Sequence, residues 1–285
     1  MRATTDWLTA SGAQFNPTGG QPGYAQLRNY SARCCEWGDG PPLVLVPGLA
    51  GGFELLGPLA RCLARNFNVI TFQLRGEDDC FALRRTFGLS DLVEDLREFL
   101  DWRGLESPAL LGVSFGGVLA VELAARYPAR VSSLTLQGVG ARFEQGLLQQ
   151  VASIVLSRYP LPADSPFVNQ FFNLLFGGRM KPGPLVDFVT RLCWQTDQSV
   201  MAHRFHLVES SDLTPRLPRI KAPTLLLAGA RDMLVSELSL DELAEGIAGS
   251  RVVRLNRCGH LAFVTRAERV AEEVKRFLAT DANCE

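Results

Sequence analysis

The chain contains no run of eighteen apolar residues, so its sequence predicts no membrane-spanning helix. Neither sign of charge dominates: 29 Lys and Arg stand against 30 Asp and Glu, a formal net charge of -1. Without a basic excess there is no electrostatic footprint for a phosphate backbone, and nucleic acid is not an expected partner. Histidine is scarce, with only His203, His206 and His260, and no C-x-x-C pair occurs among the seven cysteines. No cluster of ligand-type residues suggests zinc, so neither a metal nor an organic cofactor is expected. An odd number of cysteines, most of them in apolar stretches, reads as reduced thiols in a cytoplasmic protein. The N-terminal MRATTDWLTASGAQ has no apolar core of seven residues, so it does not read as a signal peptide. What remains is a protein acting on a small-molecule substrate, as a monomer or a homodimer.

What the chain has in quantity is apolar residue types, 47% of 285 residues, enough for a sizeable core. Residues 1–28 are rich in Gly, Pro, Asn and Gln and read as an irregular lead-in, followed by a plausible strand from Asn29 to Trp37. Six short apolar runs then recur: 43–46, 68–72, 108–113, 131–136, 223–227 and 251–255. Continuous runs of this kind suit strands buried on both faces, as in a parallel sheet. Between them lie helical patterns. Leu89, Leu92, Val93, Leu96, Phe99 and Leu100 share one face, and Val270, Val274, Phe277 and Leu278 another. The segment 115–127 is apolar on nearly every side, which predicts a helix inside the domain. The alternation implies an α/β fold, a mostly parallel central sheet with helices on both faces. Residues 140–215 break it. They show helical spacing at Leu147, Val151, Ile154 and Val155, at Phe167, Phe171, Leu174 and Leu175, and at Leu185, Phe188, Val189 and Leu192. Three or four helices are therefore expected there, inserted between the fourth and fifth runs.

The strongest chemical signal is Gly112-Val113-Ser114-Phe115-Gly116, a G-x-S-x-G that follows a predicted strand and opens a predicted helix. In that setting a serine stands on a sharp turn with its hydroxyl clear of the sheet, and small neighbours let strand and helix approach. A serine hydroxyl needs a base to take its proton. His203 and His206 fall in the insertion, whereas His260 follows the last predicted strand, so His260 is the candidate base. A base needs a carboxylate to orient it. Asp232 follows the fifth run, and the stretch after the fourth, Gln137-Gly138-Val139-Gly140, offers none. If Asp232 did not serve, Asp78 or Asp79 would be the next to test. Two backbone N–H groups should hold a developing oxyanion. Phe115, next to the serine, is one, and Leu49, in Pro47-Gly48-Leu49-Ala50-Gly51-Gly52, is the other.

On these motifs the chain resembles the α/β-hydrolase superfamily, in the subgroup of lidded Ser-Asp-His serine hydrolases, over about residues 29–280. The resemblance implies a core of residues 1–139 and 216–285 and a helical lid of 140–215. It implies an ester hydrolase that forms an acyl-enzyme, with lid aromatics Phe167, Phe171, Phe172, Phe176 and Trp194 receiving an apolar substrate. The chain departs from the family pattern at two places: Pro47-Gly48 replaces the usual His-Gly, and Gln73-Leu74-Arg75-Gly76-Glu77-Asp78 keeps only the Arg-Gly of a common loop motif. Two alternatives stand beside the esterase reading. One is C–C bond or lactone hydrolysis by the same triad, which Val113 and Leu261 disfavour. The other is a ligand-binding receptor on a hydrolase fold, which the complete triad disfavours.

Overall fold

The computed structural model describes residues 19–77, 86–143 and 166–281, and only the backbone of 166–169 and 281. Eight strands form one sheet: β1 (Gln21–Gln26), β2 (Ser31–Trp37), β3 (Pro42–Val46), β4 (Asn68–Phe72), β5 (Ala109–Val113), β6 (Ser133–Gln137), β7 (Thr224–Gly229) and β8 (Arg251–Leu255). Their order is β1-β2-β4-β3-β5-β6-β7-β8. The first two strands pair antiparallel, and the other six run parallel.

The six apolar runs appear as β3 to β8, each within two residues of its expected bounds. Their continuous apolar character has a visible cause. Leu43 and Leu45 of β3 face one buried cluster, while Val44 and Val46 face the other. One cluster is completed by α2 (Leu89–Trp102) and α3 (Phe115–Arg126), the other by α1 (Gly57–Leu63) and the C-terminal α9 (Ala267–Asp281). Between those lie α4 (Pro166–Leu175), α5 (Pro184–Cys193), α6 (Gln198–Glu209), α7 (Glu237–Gly246) and the single turn α8 (Ala262–Thr265). Among the described residues no helix is long and apolar enough to cross a membrane.

Two sequence readings need correction. The lead-in 1–28 contains β1, whose residues are mostly exposed, with only Ala25 buried. It also holds Pro22 and Gly23, which weaken a strand signal, and Pro is tolerated there because β1 is an edge strand. The strand expected from Asn29 begins at Ser31, because Leu27–Tyr30 close the hairpin through a Leu27 N–H to Tyr30 carbonyl bond of 3.0 Å.

The helices α4, α5 and α6 all fall between β6 and β7. The first two were legible from their spacing. The expected pattern at Leu147, Val151, Ile154 and Val155 lies outside the described residues. The two ends of the insertion meet at its base: Arg142 bridges Asp212, and the Leu213 N–H donates to the Ala141 carbonyl at 2.8 Å.

The α2 face illustrates how the layers hold. Phe99 is fully buried and stacks on Phe72 of β4 with ring centroids 4.3 Å apart. Phe99→Ala removes that ring from a packed interior. It is expected to lower the unfolding free energy by about 3–5 kcal/mol, read as a fall in the urea midpoint at unchanged slope.

Candidate active site

Ser114 sits between the end of β5 and the start of α3 at φ 51°, ψ −118°, a conformation that non-glycine residues rarely adopt. Strain of this kind costs about 1–3 kcal/mol and persists only where its surroundings enforce it. Here the Ser114 N–H donates to the Gln137 carbonyl at 2.9 Å, and the Ser114 carbonyl accepts from Gly117 N–H at 2.8 Å. The helix also comes very close to β3. A Cβ on Gly116 would lie 2.2 Å from the Val46 carbonyl oxygen, so only glycine permits that approach.

The three side chains named from sequence meet. His260 Nε2 is 2.8 Å from Ser114 Oγ, and His260 Nδ1 is 2.8 Å from Asp232 Oδ2. The contacts define the tautomer: Nδ1–H donates to Asp232, and Nε2 accepts from the Ser114 hydroxyl. The other Asp232 oxygen accepts from the backbone N–H of Leu234 at 2.9 Å and of Val235 at 3.3 Å. The imidazole is placed by its loop. Gln137 Nε2 donates to the His260 carbonyl at 3.0 Å, and Leu261 N–H donates to the Leu175 carbonyl at the end of α4 at 3.1 Å. Gly138, at φ 66°, leaves room for the ring, since a Cβ there would stand 3.0 Å from His260 Cε1.

Asp232 and His260 are both nearly inaccessible to solvent. Burial alone would raise the Asp232 carboxyl. The His260 charge and hydrogen bond, helped by the two amides, outweigh burial and hold it below its ordinary value. Burial pushes Cys193, in the cavity wall, up to about 12, and raises Cys258 as well.

Leu49 lies in the loop after β3, and Gly48 packs against the turn, its Cβ position 3.9 Å from Ser114 Cβ. The N–H groups of Leu49 and Phe115 have no acceptor among the described residues. Phe115 opens α3, where helix N–H groups point outward and favour negative charge.

Above Ser114 and His260 is a cavity of about 140 Å³. Phe171, Phe172 and Trp194 line it, in a run of aromatic contacts with centroids 6.4 Å and 5.9 Å apart. The expected Phe176 does not line it. It is buried beneath, and its backbone carbonyl packs against Gly259. Phe167 lies on α4, but its side chain is outside the described residues. Sequence reasoning missed Met201, Phe205 and Val208 of α6, as well as Leu234 and Leu261, which also line the cavity. The spacing of the three α6 residues was the available signal. A second cavity of about 60 Å³ also reaches Ser114 and His260, on the side of Val118, Arg142 and Ser211.

The family model described as alpha/beta hydrolase fold matches residues 41–267. The chain belongs to the α/β-hydrolase-fold family. Within it, the chain is 29% identical over 252 residues to a poly(3-hydroxyalkanoate) depolymerase of Ectopseudomonas oleovorans, covering 83% of this chain and 84% of that one. It is 26% identical over 265 residues to a pimeloyl-[acyl-carrier protein] methyl ester esterase of Stenotrophomonas maltophilia, covering 85% and 94%. Among solved structures of the family, a bacterial membrane phospholipase A superposes with a TM-score of 0.79 at 26% identity, covering 93% of this chain and 88% of that one.

The depressed Asp232 carboxyl predicts an acid dependence of stability. Its ionised form favours the fold at all pH values above its unfolded value of about 3.9, and the contribution is lost as pH falls through the lower folded value. Urea midpoints of wild type and Asp232→Asn measured across that range are expected to converge below about pH 3.9. A difference that stays constant to the lowest folded pH would contradict the assignment.

Proposed function

We propose that the protein is a serine hydrolase that cleaves carboxylic esters of apolar small molecules through an acyl-enzyme intermediate. The observation that carries this reading is the unbroken relay from Asp232 through His260 to Ser114 Oγ at the floor of an apolar cavity. His260 takes the serine proton as Oγ attacks the ester carbonyl, and Asp232 stabilises the imidazolium. The N–H groups of Leu49 and Phe115 receive the oxyanion. Collapse of the tetrahedral intermediate expels the alcohol, protonated by His260. Water activated by the same imidazole then releases the acid. No metal or organic cofactor takes part.

The names of relatives support hydrolase chemistry of the ester type, since a poly(3-hydroxyalkanoate) depolymerase and a pimeloyl-[acyl-carrier protein] methyl ester esterase both stand among them. In this reading residues 140–215 form a lid over a core of 1–139 and 216–285. The larger arm of the substrate lies against Phe171, Phe172 and Trp194, and the smaller arm occupies the lesser cavity. The free thiols of the five described cysteines suit a reducing, cytoplasmic setting.

Three measurements test the proposal. Hydrolysis of p-nitrophenyl esters of increasing chain length, beside a lactone and a β-diketone, should favour the esters. Ser114→Ala should abolish turnover in a folded protein, and activity within about tenfold of wild type would exclude the acyl-enzyme route. Phe171→Ala or Trp194→Ala should shift the preferred chain length, provided the melting temperature is retained. An unaltered profile in both folded variants would remove the lid from substrate selection.

A further inference from the structure

The loop that carries Leu49 has little means of holding its own shape. Two of its three glycines adopt left-handed conformations in succession, Gly51 at φ 82° and Gly52 at φ 53°. Glycine at such positions is permissive, so the conformation must be imposed by contacts. Within the loop, the local bonds run from Leu55 N–H to the Gly51 carbonyl at 3.1 Å and from Leu56 N–H to the Phe53 carbonyl at 3.0 Å, both beyond Leu49. Two further tethers come from the insertion between β6 and β7. Arg204 of α6 donates from Nη1 to the Leu49 carbonyl at 3.0 Å. Thr196, just before α6, accepts the Gly51 N–H on Oγ1 at 3.0 Å.

Arg204 is itself rigidly held. It is fully buried, and Nη1 also donates to Glu77 Oε1 at 2.5 Å, while Nη2 donates to the Arg75 carbonyl at 2.7 Å. Arg75 is clamped in turn by two bonds, 2.8 Å and 2.6 Å, to Asp95 of α2. Glu77 and Arg75 follow β4, so the guanidinium ties three separate segments together at one point. Apolar residues of similar volume can replace a buried ion pair without loss of stability, so packing alone does not call for an arginine here. Its forked donors serve instead to join the Leu49 carbonyl to fixed partners.

We infer that Arg204 and Thr196 are positioning residues for the oxyanion site, so that the inserted helices, and not the sheet, set the geometry of the Leu49 N–H. This rests on the reading of Leu49 as an oxyanion donor. Fixing the Leu49 carbonyl and the Gly51 N–H holds the two peptide planes that follow Leu49, and so restrains the residue whose N–H has no acceptor among the described residues. The same helix lines the cavity through Met201 and Phe205. One turn of α6 therefore touches the substrate on one side and the transition-state apparatus on the other.

The test compares full-length wild type with Thr196→Val, which keeps shape but loses the acceptor, and with Arg204→Met/Glu77→Gln, which removes both buried charges together. Hydrolysis of p-nitrophenyl butyrate and the rate of Ser114 phosphonylation by a fluorophosphonate are measured after each variant is shown to be folded by its melting temperature. A whole oxyanion donor is worth roughly 10²–10³ in kcat, so its mispositioning should lower kcat about tenfold or more. KM should remain within about threefold, and phosphonylation should slow by the same factor as kcat, because both reactions place negative charge at one spot. If Thr196→Val is folded and both rates stay within about twofold of wild type, the inference is overturned, whatever the double variant does. A rise in KM alone would make the two residues part of the cavity wall and also overturn it. Should wild type be phosphonylated but hydrolyse no ester, the esterase reading fails, and the phosphonylation rates alone decide this one. A wild type that does neither overturns both.

Discussion

The turn at Ser114 is the constraint on which the rest of the site depends. A serine held at φ 51° must be forced there, and the force comes from how closely α3 packs on the sheet. The Cβ that Gly116 lacks would touch the carbonyls of Val46 and Pro47, so the helix start lies directly on the end of β3. Hydrogen bonds from the Ser114 N–H to Gln137 and from Gly117 to the Ser114 carbonyl close the turn on its other side. Once the backbone is held this way, Oγ can only project beyond the carboxyl edge of the sheet. The Phe115 N–H, one residue on, has no acceptor among the described residues.

The partners of that hydroxyl come from the ends of two neighbouring strands. Asp232 follows β7 and His260 follows β8, and the parallel register brings both ends level with β5 and β6. Burial sharpens their interaction, because a carboxylate and an imidazole withdrawn from water feel each other more strongly than exposed ones. The same burial would raise the Asp232 carboxyl if it stood alone. It is held below its ordinary value because His260 and two backbone amides supply what water would have supplied. Gln137, which offers no carboxylate, has a different use: its amide holds the His260 carbonyl.

Much of this was legible in the sequence, for a physical reason. A strand buried on both faces leaves a run of apolar residues, and the chemistry sits where such runs stop. Ser114, Asp232 and His260 could therefore be placed by the strands they follow. The strand β1 left no such trace, because its face is mostly solvent and its order comes from pairing with β2. The helix α6 was hidden by its own composition. Its apolar stripe of Met201, Phe205 and Val208 is interrupted by Arg204, which spacing places on the same face, which its charge argues should lie at the surface, and which the fold buries completely. Phe176 shows the opposite limit. It carries the same signal as Phe172, one turn earlier, but it falls at the end of α4, where the chain turns down against Gly259. Spacing tells which residues share a face, and only packing tells which face meets the cavity.

The insertion also acts on more than the cavity wall. The Leu175 carbonyl at the end of α4 accepts the N–H of Leu261, next to the base, and Arg204 and Thr196 grip the Leu49 loop. The inserted segment thus holds two loops of the sheet edge, one on each side of Ser114. Interactions made far from the reacting bond raise the rate only when they improve stabilisation of the transition state over that of the bound substrate. A wall that merely shaped the cavity would contribute equally to both. A wall tied to the oxyanion donor, as proposed for Arg204 and Leu49, would contribute unequally. Under the proposed function, substrate selection and chemistry would both rest on α6, through Met201 and Phe205 at the cavity and the Arg204 side chain at the Leu49 loop.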